Sequence, residues 1–357
     1  MKKIIAFISI FLFFIIFSCK KDNEISLGGF AKSGTAIITN EGAFGGNNGS
    51  ISFLENGIIT NNIFESANNG LLVGDVVQYY ERVGNNGLII VNNNQKVLLV
   101  DAESFKLKKT LTEGFTYPRF AVSVSESKAY ISNGSGNGNL LVVDVDSQKV
   151  VKTISVGKGP EMLLRYGSLV YVCNSGGFTN DDSTISVVST LTDMEIKKIK
   201  VGDVPVDMIF DSNENLWVLC KGKPDYSNFP FVQRLTPSKL VMINTKTELV
   251  EKTFQILPAG SNDDVFRLAV SNDGNTIYYN KSDGIFAMNI NAISIPANPL
   301  IRGFFYGLDV DPNNGEIYGL DAGNFSSNGN IRKYSNLGLM MDSLIVGIAP
   351  NNIIFNN

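Results

Sequence analysis

The sequence predicts an all-β fold, a seven-bladed β-propeller in which the C-terminal strand pairs with the N-terminal blade. The first observation is a recurring phrase: "VVKTISVGKGPEMLL" (150–164) returns as "IKKIKVGDVPVDMIF" (196–210) and "IVGIAPNNIIF" (345–355). Each copy places a proline three residues after a Val-Gly pair. The second observation is a repeat length of about 40–50 residues, which is typical of propeller arrays. The third is that the first and last repeats are incomplete in complementary ways.

Each repeat predicts four short strands, because β-rich runs alternate with turn residues. In one repeat these strands are "AYISN" (129–133), "NLLVVDVDS" (139–147), "KVVKTISVG" (149–157) and "EMLLRYG" (161–167). We letter the strands of a blade A to D from the central axis outward. The same pattern recurs with drift at 35–64, 87–111, 169–213, 215–256, 276–290 and 316–335.

The two ends of the repeat region predict how the ring closes. The first copy, 35–64, has no apolar strand before it, and the last phrase, 351–357, has no strand after it. Joining them completes seven four-stranded sheets and leaves few strand edges exposed. We interpret Val-Gly-x-x-Pro as the crossing from the outer strand of one blade to the inner strand of the next. There glycine permits a strained turn, and proline cannot join a central ladder. A β-sandwich or a solenoid is the alternative fold.

Residues 1–18 are predicted to be an export signal and are excluded from the fold. Lys2 and Lys3 precede an apolar run, 4–17, that is shorter than the roughly 20 residues of a transmembrane helix. The run ends in "IFSC", which resembles a bacterial lipobox. That resemblance implies cleavage before Cys19 and attachment of several acyl chains to it, which give stable membrane anchoring. The alternative is an ordinary signal peptide with an incidental cysteine.

Residues 19–34 are then a lipidated tether, and residues 35–357 form the propeller. A charged cluster, "KKDNE" (20–24), directly follows Cys19. It is similar to the tag that directs some Gram-negative lipoproteins to the outer leaflet. We therefore expect a lipid-anchored protein of the outer membrane that is exposed at the cell surface.

Composition argues against several classes of function. The net charge is −4 over 357 residues, and loss of the two lysines in residues 1–18 brings it to −6, so we expect no nucleic-acid partner. The chain has no histidine, which removes the commonest general base and the usual metal ligand. We therefore expect a protein that is not an enzyme and that holds no cofactor or metal.

Two further sets of residues are predicted to be structurally ordinary. Cys173 and Cys220 are too few for a disulfide framework and are expected to be free, inert thiols. The pairs Asp181-Asp182 and Asp263-Asp264 lack the full spacing of a calcium motif. We expect these aspartates in solvated turns.

The segments between strands are short on one rim of the predicted ring and long on the other. The A–B and C–D turns are short, for example 125–128 and 146–149. The B–C and D–A loops include long segments such as 220–238 and 298–307. One-sided lengthening in a repeat protein is typical of a binding face.

The long loops carry aromatic residues among Asn, Ser and Gly, a composition suited to stacking and neutral hydrogen bonding. The alternative for each ring is packing beneath its own loop. Arg119, Arg267 and Arg302 lie where D–A loops enter inner strands, so we expect them at the mouth of the central channel. Their alternative is pairing with an acidic residue such as Asp75 or Asp207. The candidate ligand-binding residues are Phe44, Phe115, Tyr117, Arg119, Phe178, Tyr226, Phe229, Phe231, Arg302, Phe304, Phe305, Tyr306 and Phe325.

The repeat "YISN…LLVVDVDSQKVVKTISVGKGP" (130–160) is similar to the YVTN-type, YncE-like propeller repeat, and the likeness spans residues 35–357. With the lipobox and the charged cluster after Cys19, the chain resembles the BtuG-like surface lipoproteins. That resemblance implies capture of a corrinoid such as cobalamin and its transfer to a TonB-dependent outer-membrane transporter. Without histidine, cobalt would not be held by imidazole, so recognition would rest on shape and on hydrogen bonds to the amide-rich rim.

Two rival classes of function stay open. The long-loop face suits a glycan, or a protein subunit of a surface assembly, nearly as well, because aromatic and Asn-rich loops also fit sugars. An enzyme would resemble the lactonase-type or quinoprotein propellers. The missing histidine and the lack of converging carboxylates in the sequence disfavour that class.

Overall fold

The computed structural model describes residues 29–134, 136 and 138–356. The predicted signal peptide (1–18), Cys19 and the tether up to residue 28 lie outside these residues. The structure is an all-β, seven-bladed propeller made of seven four-stranded antiparallel sheets, which confirms the predicted fold class. No helix in the described part of the chain is long and apolar enough to cross a membrane.

The strands are labelled in chain order, and the blades are numbered from the N-terminal end. Blade 1 contains β1 (Thr35–Asn40), β2 (Ser50–Glu55) and β3 (Ile58–Thr60), and a short helix α1 (Ile63–Ala67) follows it. Blade 2 contains β4 (Val77–Val83), β5 (Asn86–Val91), β6 (Lys96–Asp101) and β7 (Leu107–Leu111). Blade 3 contains β8 (Pro118–Ser123), β9 (Lys128–Asn133), β10 (Asn139–Asp144) and β11 (Lys149–Ser155). Blade 4 contains β12 (Pro160–Tyr166), β13 (Leu169–Asn174), β14 (Thr184–Ser189) and β15 (Met194–Lys200).

The second half of the ring follows the same order. Blade 5 contains β16 (Pro205–Phe210) and β17 (Leu216–Cys220), then an inserted hairpin, β18 (Pro224–Asp225) and β19 (Gln233–Arg234), and finally β20 (Ser238–Asn244) and β21 (Leu249–Leu257). Blade 6 contains β22 (Val265–Val270), β23 (Thr276–Lys281), β24 (Gly284–Asn289) and β25 (Ile301–Arg302). Blade 7 contains β26 (Gly307–Val310), β27 (Ile317–Asp321), β28 (Asn328–Tyr334) and β29 (Met340–Ile348). The last strand, β30 (Pro350–Asn356), is the innermost strand of blade 1.

The ring closes between the two ends of the chain, as the sequence predicts. Strand β30 pairs antiparallel with β1, so that Phe355 lies opposite Ala36 and Ile353 lies opposite Ile38. Asn351 also joins this strand to blade 2, because its Nδ2 donates to the backbone oxygen of Gln78 at 3.0 Å.

The hydrophobic core is divided among the blade interfaces. Within the described residues, seven apolar clusters each combine side chains from two neighbouring blades. Trp217 and Leu219 of blade 5, for example, pack with Ile277 and Tyr279 of blade 6. Central strands are therefore apolar on both faces, which explains runs such as "LLVV" in β10.

The recurring Val-Gly-x-x-Pro phrase is the crossing between blades, but glycine is needed there for a different reason from the predicted one. Gly157, Gly202 and Gly347 do not adopt the left-handed backbone conformation. A Cβ atom at Gly157 would instead overlap Asn174, and one at Gly202 would lie 3.1 Å from the Cβ of Cys220. The prolines three residues later begin the innermost strands β12, β16 and β30, as predicted.

Blade 6 departs from the predicted pattern. Ile301 and Arg302 form its outer strand, β25, whereas the sequence placed them in a loop before the next inner strand. The C–D connection of this blade, 290–300, is therefore the long one, so long segments are not confined to the B–C and D–A side. The outer strand was not recognised because only two of its residues pair.

The B–C and D–A loops emerge on one end of the ring, which we call the loop face, and the A–B and C–D turns emerge on the other, the turn face. The chain enters the fold at the turn face. The ring of Phe30 contacts Phe53 and Phe105 at 4.9 and 5.3 Å between centroids, and Gly34 N donates to Asn356 O at 2.9 Å. Residues 29–34, predicted as part of the tether, thus pack against blades 1 and 2.

Candidate functional site

A cavity of about 430 Å³ opens on the loop face at the ring axis. Its floor is built from equivalent positions of the innermost strands, because the second residue of each of five such strands lines it. The first residues of these strands are buried against the blades, and a register irregularity directly after each of them interrupts the strict alternation, so that the second and third residues can both line the axis. The second residues are Gln78, Arg119, Glu161, Val206 and Phe266.

The third residues of the same strands fill the axis below the cavity. Phe120 is almost completely buried there, and Tyr79 meets it edge-on with 5.3 Å between ring centroids. The guanidinium carbons of Arg119 and Arg267 lie 5.8 and 5.6 Å from the centroid of Phe120. This layer lies between the loop-face cavity and a second cavity of about 610 Å³ on the turn face.

Aromatic side chains from four loops form the walls of the loop-face cavity. Tyr117 and Phe178 lie 5.0 Å apart between ring centroids, and Phe178 is 73% exposed. Tyr226 comes from the long insertion of blade 5, and Tyr306 directly precedes β26. The walls therefore combine flat apolar surface with phenol hydroxyls.

The cavity is richer in cations than in acids. Arg119 Nε donates to Glu161 Oε2 at 2.8 Å, and its Nη1 donates to Gln78 Oε1 at 2.5 Å. Lys221 Nζ lies 3.4 Å from Asp264 Oδ2. Burial lowers the pKa of Lys221, since the ammonium is partly removed from water.

Arg267 is the third cation of the cavity, and its guanidinium group lies over the ring of Phe120 and attracts the buried carboxylate of Asp207. Its Nε is buried, and within the described residues the side chain forms no hydrogen bond or ion pair. The carboxylate of Asp207 instead accepts the backbone N–H groups of Met208 and Leu268, at 2.8 and 3.0 Å. The predicted alternative, in which Arg267 pairs with Asp207, is therefore supported in part: the positive charge of Arg267 opposes the burial that raises the pKa of Asp207, but no direct hydrogen bond joins the two side chains.

Glu41 lies behind the cavity wall. Its Oε1 accepts hydrogen bonds from Asn351 Nδ2 at 3.0 Å and from the hydroxyl of Tyr306 at 3.2 Å. Burial raises the pKa of Glu41, and burial together with the neighbouring Glu41 carboxyl raises the pKa of Tyr306. The Tyr306 hydroxyl thus stays protonated and donates to the carboxyl group.

Five of the predicted ligand-binding residues come together at this cavity. They are Tyr117, Arg119, Phe178, Tyr226 and Tyr306, and Arg267 joins them as expected for a residue at the channel mouth.

The other predicted residues lie elsewhere. Phe115 and Phe305 belong to the hydrophobic core, so neither ring is available to a ligand. The prediction that Arg302 binds a ligand at the channel mouth is also wrong, because Arg302 is exposed on the outer strand β25, far from that mouth.

Phe304 and Phe325 are partly exposed and rest edge-on against Phe266 and Tyr306, behind the cavity lining. The remaining rings are exposed on loops outside the cavity lining: Phe44, Phe229 and Phe231.

Several cavity residues were missed from the sequence. Glu161 and Val206 each directly follow the proline of the recurring phrase, so alignment of the repeats could have found them. Gln78 and Phe266 hold the same strand position without a preceding proline, and the sequence marks them only weakly. Lys221 was missed because it lies within the long predicted loop 220–238, where no repeat position marks it.

The acidic pairs were predicted in solvated turns, and the structure places Asp181, Asp263 and Asp264 in ion pairs. Asp181 pairs with Lys158 at 2.8 Å, and Asp263 lies 3.6 Å from Lys281. In the described part of the chain, no three His, Cys, Asp or Glu side chains are grouped as metal ligands would be. Cys173 and Cys220 are free and buried, and burial raises the pKa of both thiols, to about 12 for Cys220.

A family model named "Domain of unknown function (DUF5074)" matches residues 33–320, which is more than half of the chain. The chain belongs to the DUF5074 family. No protein of curated function matches the sequence.

Solved structures with the same architecture have very different sequences. A quinoprotein alcohol dehydrogenase-like protein of Bacteroides thetaiotaomicron is 13% identical, with a TM-score of 0.63 over 90% of this chain and 78% of its own. A functionally unknown protein of Desulfotomaculum acetoxidans is also 13% identical, with a TM-score of 0.62 over 90% and 99%. Hydrazine synthase of Kuenenia stuttgartiensis is 15% identical, with a TM-score of 0.56 over 75% and 85%. At these identities the likeness shows a shared β-propeller fold and nothing of function.

Proposed function

We propose that this DUF5074 chain is a binding protein that captures a small amphipathic ligand in the axial cavity of its loop face and carries out no chemistry on it. The observation that carries this proposal is the convergence of four aromatic walls and a polar floor on one opening. A volume of about 430 Å³ lies within the usual range for small-molecule sites.

The lining favours a ligand that is flat and polar at its edge. Tyr117, Phe178 and Tyr226 offer ring faces and edges, whereas Gln78 and Asn180 offer neutral hydrogen-bonding groups. A corrinoid has this character, a broad disc with an amide-rich rim. We propose a corrinoid as the first candidate ligand, in line with the resemblance to the YncE-like and BtuG-like lipoproteins.

The cellular setting follows from the same proposal. A lipid on Cys19 would hold the propeller at the outer membrane, on the cell surface, and a TonB-dependent transporter would receive the ligand. Replacing Cys19 by Ala should then move the protein from the membrane fraction to the soluble fraction, as measured by immunoblotting of the two. A C19A protein that stays with the membranes would contradict lipid anchoring.

A glycan or a protein subunit is the second candidate, and one feature favours it. Phe44, Phe229 and Phe231 are 85%, 76% and 76% exposed on the loop face, where an extended partner could contact all three outside the cavity. On this proposal the chain is an interaction module of a surface assembly.

Titration of the purified protein with cobalamin, cobinamide, haem and oligosaccharides, followed by absorbance and calorimetry, tests these proposals. Tyr226→Ala should weaken corrinoid binding by about 2 kcal/mol, roughly 30-fold, since a ring that anchors a ligand is lost. Phe44→Ala is the matched control, because its ring is exposed on the same face but does not line the cavity.

The two variants separate the candidates. Cobalamin binding that is weakened by Tyr226→Ala and unchanged by Phe44→Ala supports capture in the cavity. Oligosaccharide binding with the reverse sensitivity supports the glycan candidate. A parent protein that binds none of the small ligands rules out the corrinoid proposal.

A further inference from the structure

We infer that the ligand of the loop-face cavity carries an oxyanion, a carboxylate or a phosphate group, and that Arg267 binds it with Lys221 beside it. This inference rests on the proposed function, since it names the chemical class of the captured ligand.

The first support is the distribution of charge along the axis. Arg119, Lys221 and Arg267 line the loop-face cavity, against one acid, Glu161, although the whole chain has a net charge of −4. The turn-face cavity has the opposite character. Its charged lining is Asp207, Asp211, Asp273, Asp309 and Arg267.

The second support is that the three cations differ in the hydrogen bonds and ion pairs that their side chains form. Arg119 already donates to Glu161 and Gln78. Lys221 shares the carboxylate of Asp264 with Arg234. Arg267 alone of the three forms no side-chain hydrogen bond or ion pair with the residues that the structure describes. The Nε of Arg267 is buried without a hydrogen-bond partner, and a buried donor without a partner is unfavourable unless a ligand supplies one.

The third support is the position of Arg267 among its neighbours. Its guanidinium group flanks the buried ring of Phe120, and that of Arg119 flanks the same ring. Lys221 Nζ lies 5.2 Å from the ring centroid of Phe266, which is next to Arg267 in β22. An anion at the cavity floor would therefore meet several positive groups in a partly desolvated site, where attraction is stronger than in bulk water.

The geometry of the guanidinium group selects the class of anion. Its planar array of N–H donors matches the paired oxygens of a carboxylate or a phosphate, and such charge-assisted bonds are the strong ones. The aromatic walls would hold the rest of the ligand. An aromatic carboxylic acid is therefore the simplest probe of both the guanidinium group and the aromatic walls.

The test compares benzoate with its neutral isostere benzamide, and adds inorganic phosphate as a competitor, by calorimetric titration of the purified protein. Benzoate should bind at least about 10-fold more tightly than benzamide, phosphate should compete with it, and added salt should weaken it. Arg267→Gln should remove the preference for benzoate and leave benzamide binding unchanged, while Arg267→Lys should retain part of it.

Arg302→Gln is the matched control, because Arg302 is an exposed arginine on the outer strand of the same blade. It should leave the preference for benzoate intact. Thermal melting of each variant checks that it is folded, and the Lys221→Gln variant, which should weaken benzoate binding several-fold, replaces Arg267→Gln if the latter does not fold.

The outcomes separate the inference from the proposed function. Equal binding of benzoate and benzamide, both weakened by Tyr226→Ala, would overturn the inference and leave ligand capture in the cavity standing. Preference for benzoate that survives Arg267→Gln would overturn the assignment of Arg267. No saturable binding of benzoate or phosphate by the parent protein would overturn the inference, whereas corrinoid binding in that same protein would still support capture.

Discussion

Asn351 connects separate parts of the ring through one side chain. Its Oδ1 accepts the hydroxyl of Thr39 at 2.5 Å, and its Nδ2 donates to the backbone oxygens of Val77 and Gln78 and to Glu41. The side chain is fully buried. It therefore joins the last strand to both the first strand and the next blade, at the place where the ring closes without a covalent link.

Asn351→Ala should lower the free energy of unfolding by about 2 kcal/mol, because it removes the buried partner of the Thr39 hydroxyl and the hydrogen bonds to the backbone oxygens of Val77 and Gln78. Urea unfolding followed by circular dichroism measures this. Asn289→Ala is the control, since Asn289 is exposed at the end of β24 and its Oδ1 accepts one exposed hydrogen bond, from Asn291 N, so the change should cost under about 1 kcal/mol. Equal urea midpoints for the two variants would show that closure does not depend on Asn351.

The sequence predicts the roles of individual residues less well than it predicts the strands or the whole fold. Phe305 and Tyr306 are adjacent and were given the same role, yet the first lies in the core and the second lines the cavity. Neighbouring residues of an extended chain point in opposite directions, so the assignment depends on where β26 begins. No proline marks that point, unlike the starts of β12 and β16, and the residues before it were mistaken for one long loop.

The crossings between blades carry the clearest element-scale signal in the chain. The recurring phrase correctly predicts that an outer strand ends and an innermost strand begins, since β11, β15 and β29 end near its glycines and β12, β16 and β30 start at its prolines. The reason for glycine could not be predicted, because the side chain that it approaches belongs to the next blade. That contact exists only in the assembled ring.

Gly157→Ala should destabilise the protein by about 1–3 kcal/mol, as overpacking at a close approach does, because the new methyl group would overlap Asn174. Gly202→Ala is the matched variant at the equivalent crossing, and it should cost less, since its methyl group would lie 3.1 Å from the Cβ of Cys220. Thermal melting of both ranks them. A larger loss for Gly202→Ala would contradict close approach as the reason for glycine.

The innermost strands carry acidic side chains that are half-buried in the ring. Glu81 and Asp309 lie on the innermost strands of blades 2 and 7. Burial raises the pKa of Glu81 to about 8 and that of Asp309 to about 7, from ordinary values of 4.5 and 3.8. The number of blades and the closure of the ring could be predicted from the repeat, but this axial chemistry could not, because it depends on which strand positions converge.

These acids predict that stability falls as the pH rises. Between about pH 4 and about pH 8 the folded protein binds more protons than the unfolded chain, so the free energy of unfolding decreases across that interval. Carboxylates with a lowered pKa, such as Asp144, change the free energy of unfolding only below this pH interval. Thermal melting from about pH 5 to about pH 9 should show a falling midpoint, and Glu81→Gln should flatten the curve. A midpoint that rises across this range would contradict the prediction.

The position of residues 29–34 has a consequence for delivery of a captured ligand. These residues meet the fold on the turn face, and the cavity opens at the other end of the axis. A propeller held at a membrane through its N-terminal end and standing upright would present its opening to the surroundings and its base to the lipid. Such a protein could load from outside without obstruction. To unload into the proposed transporter in the same membrane, it would have to reverse its orientation, so that loading and unloading would be two orientations of one rigid body.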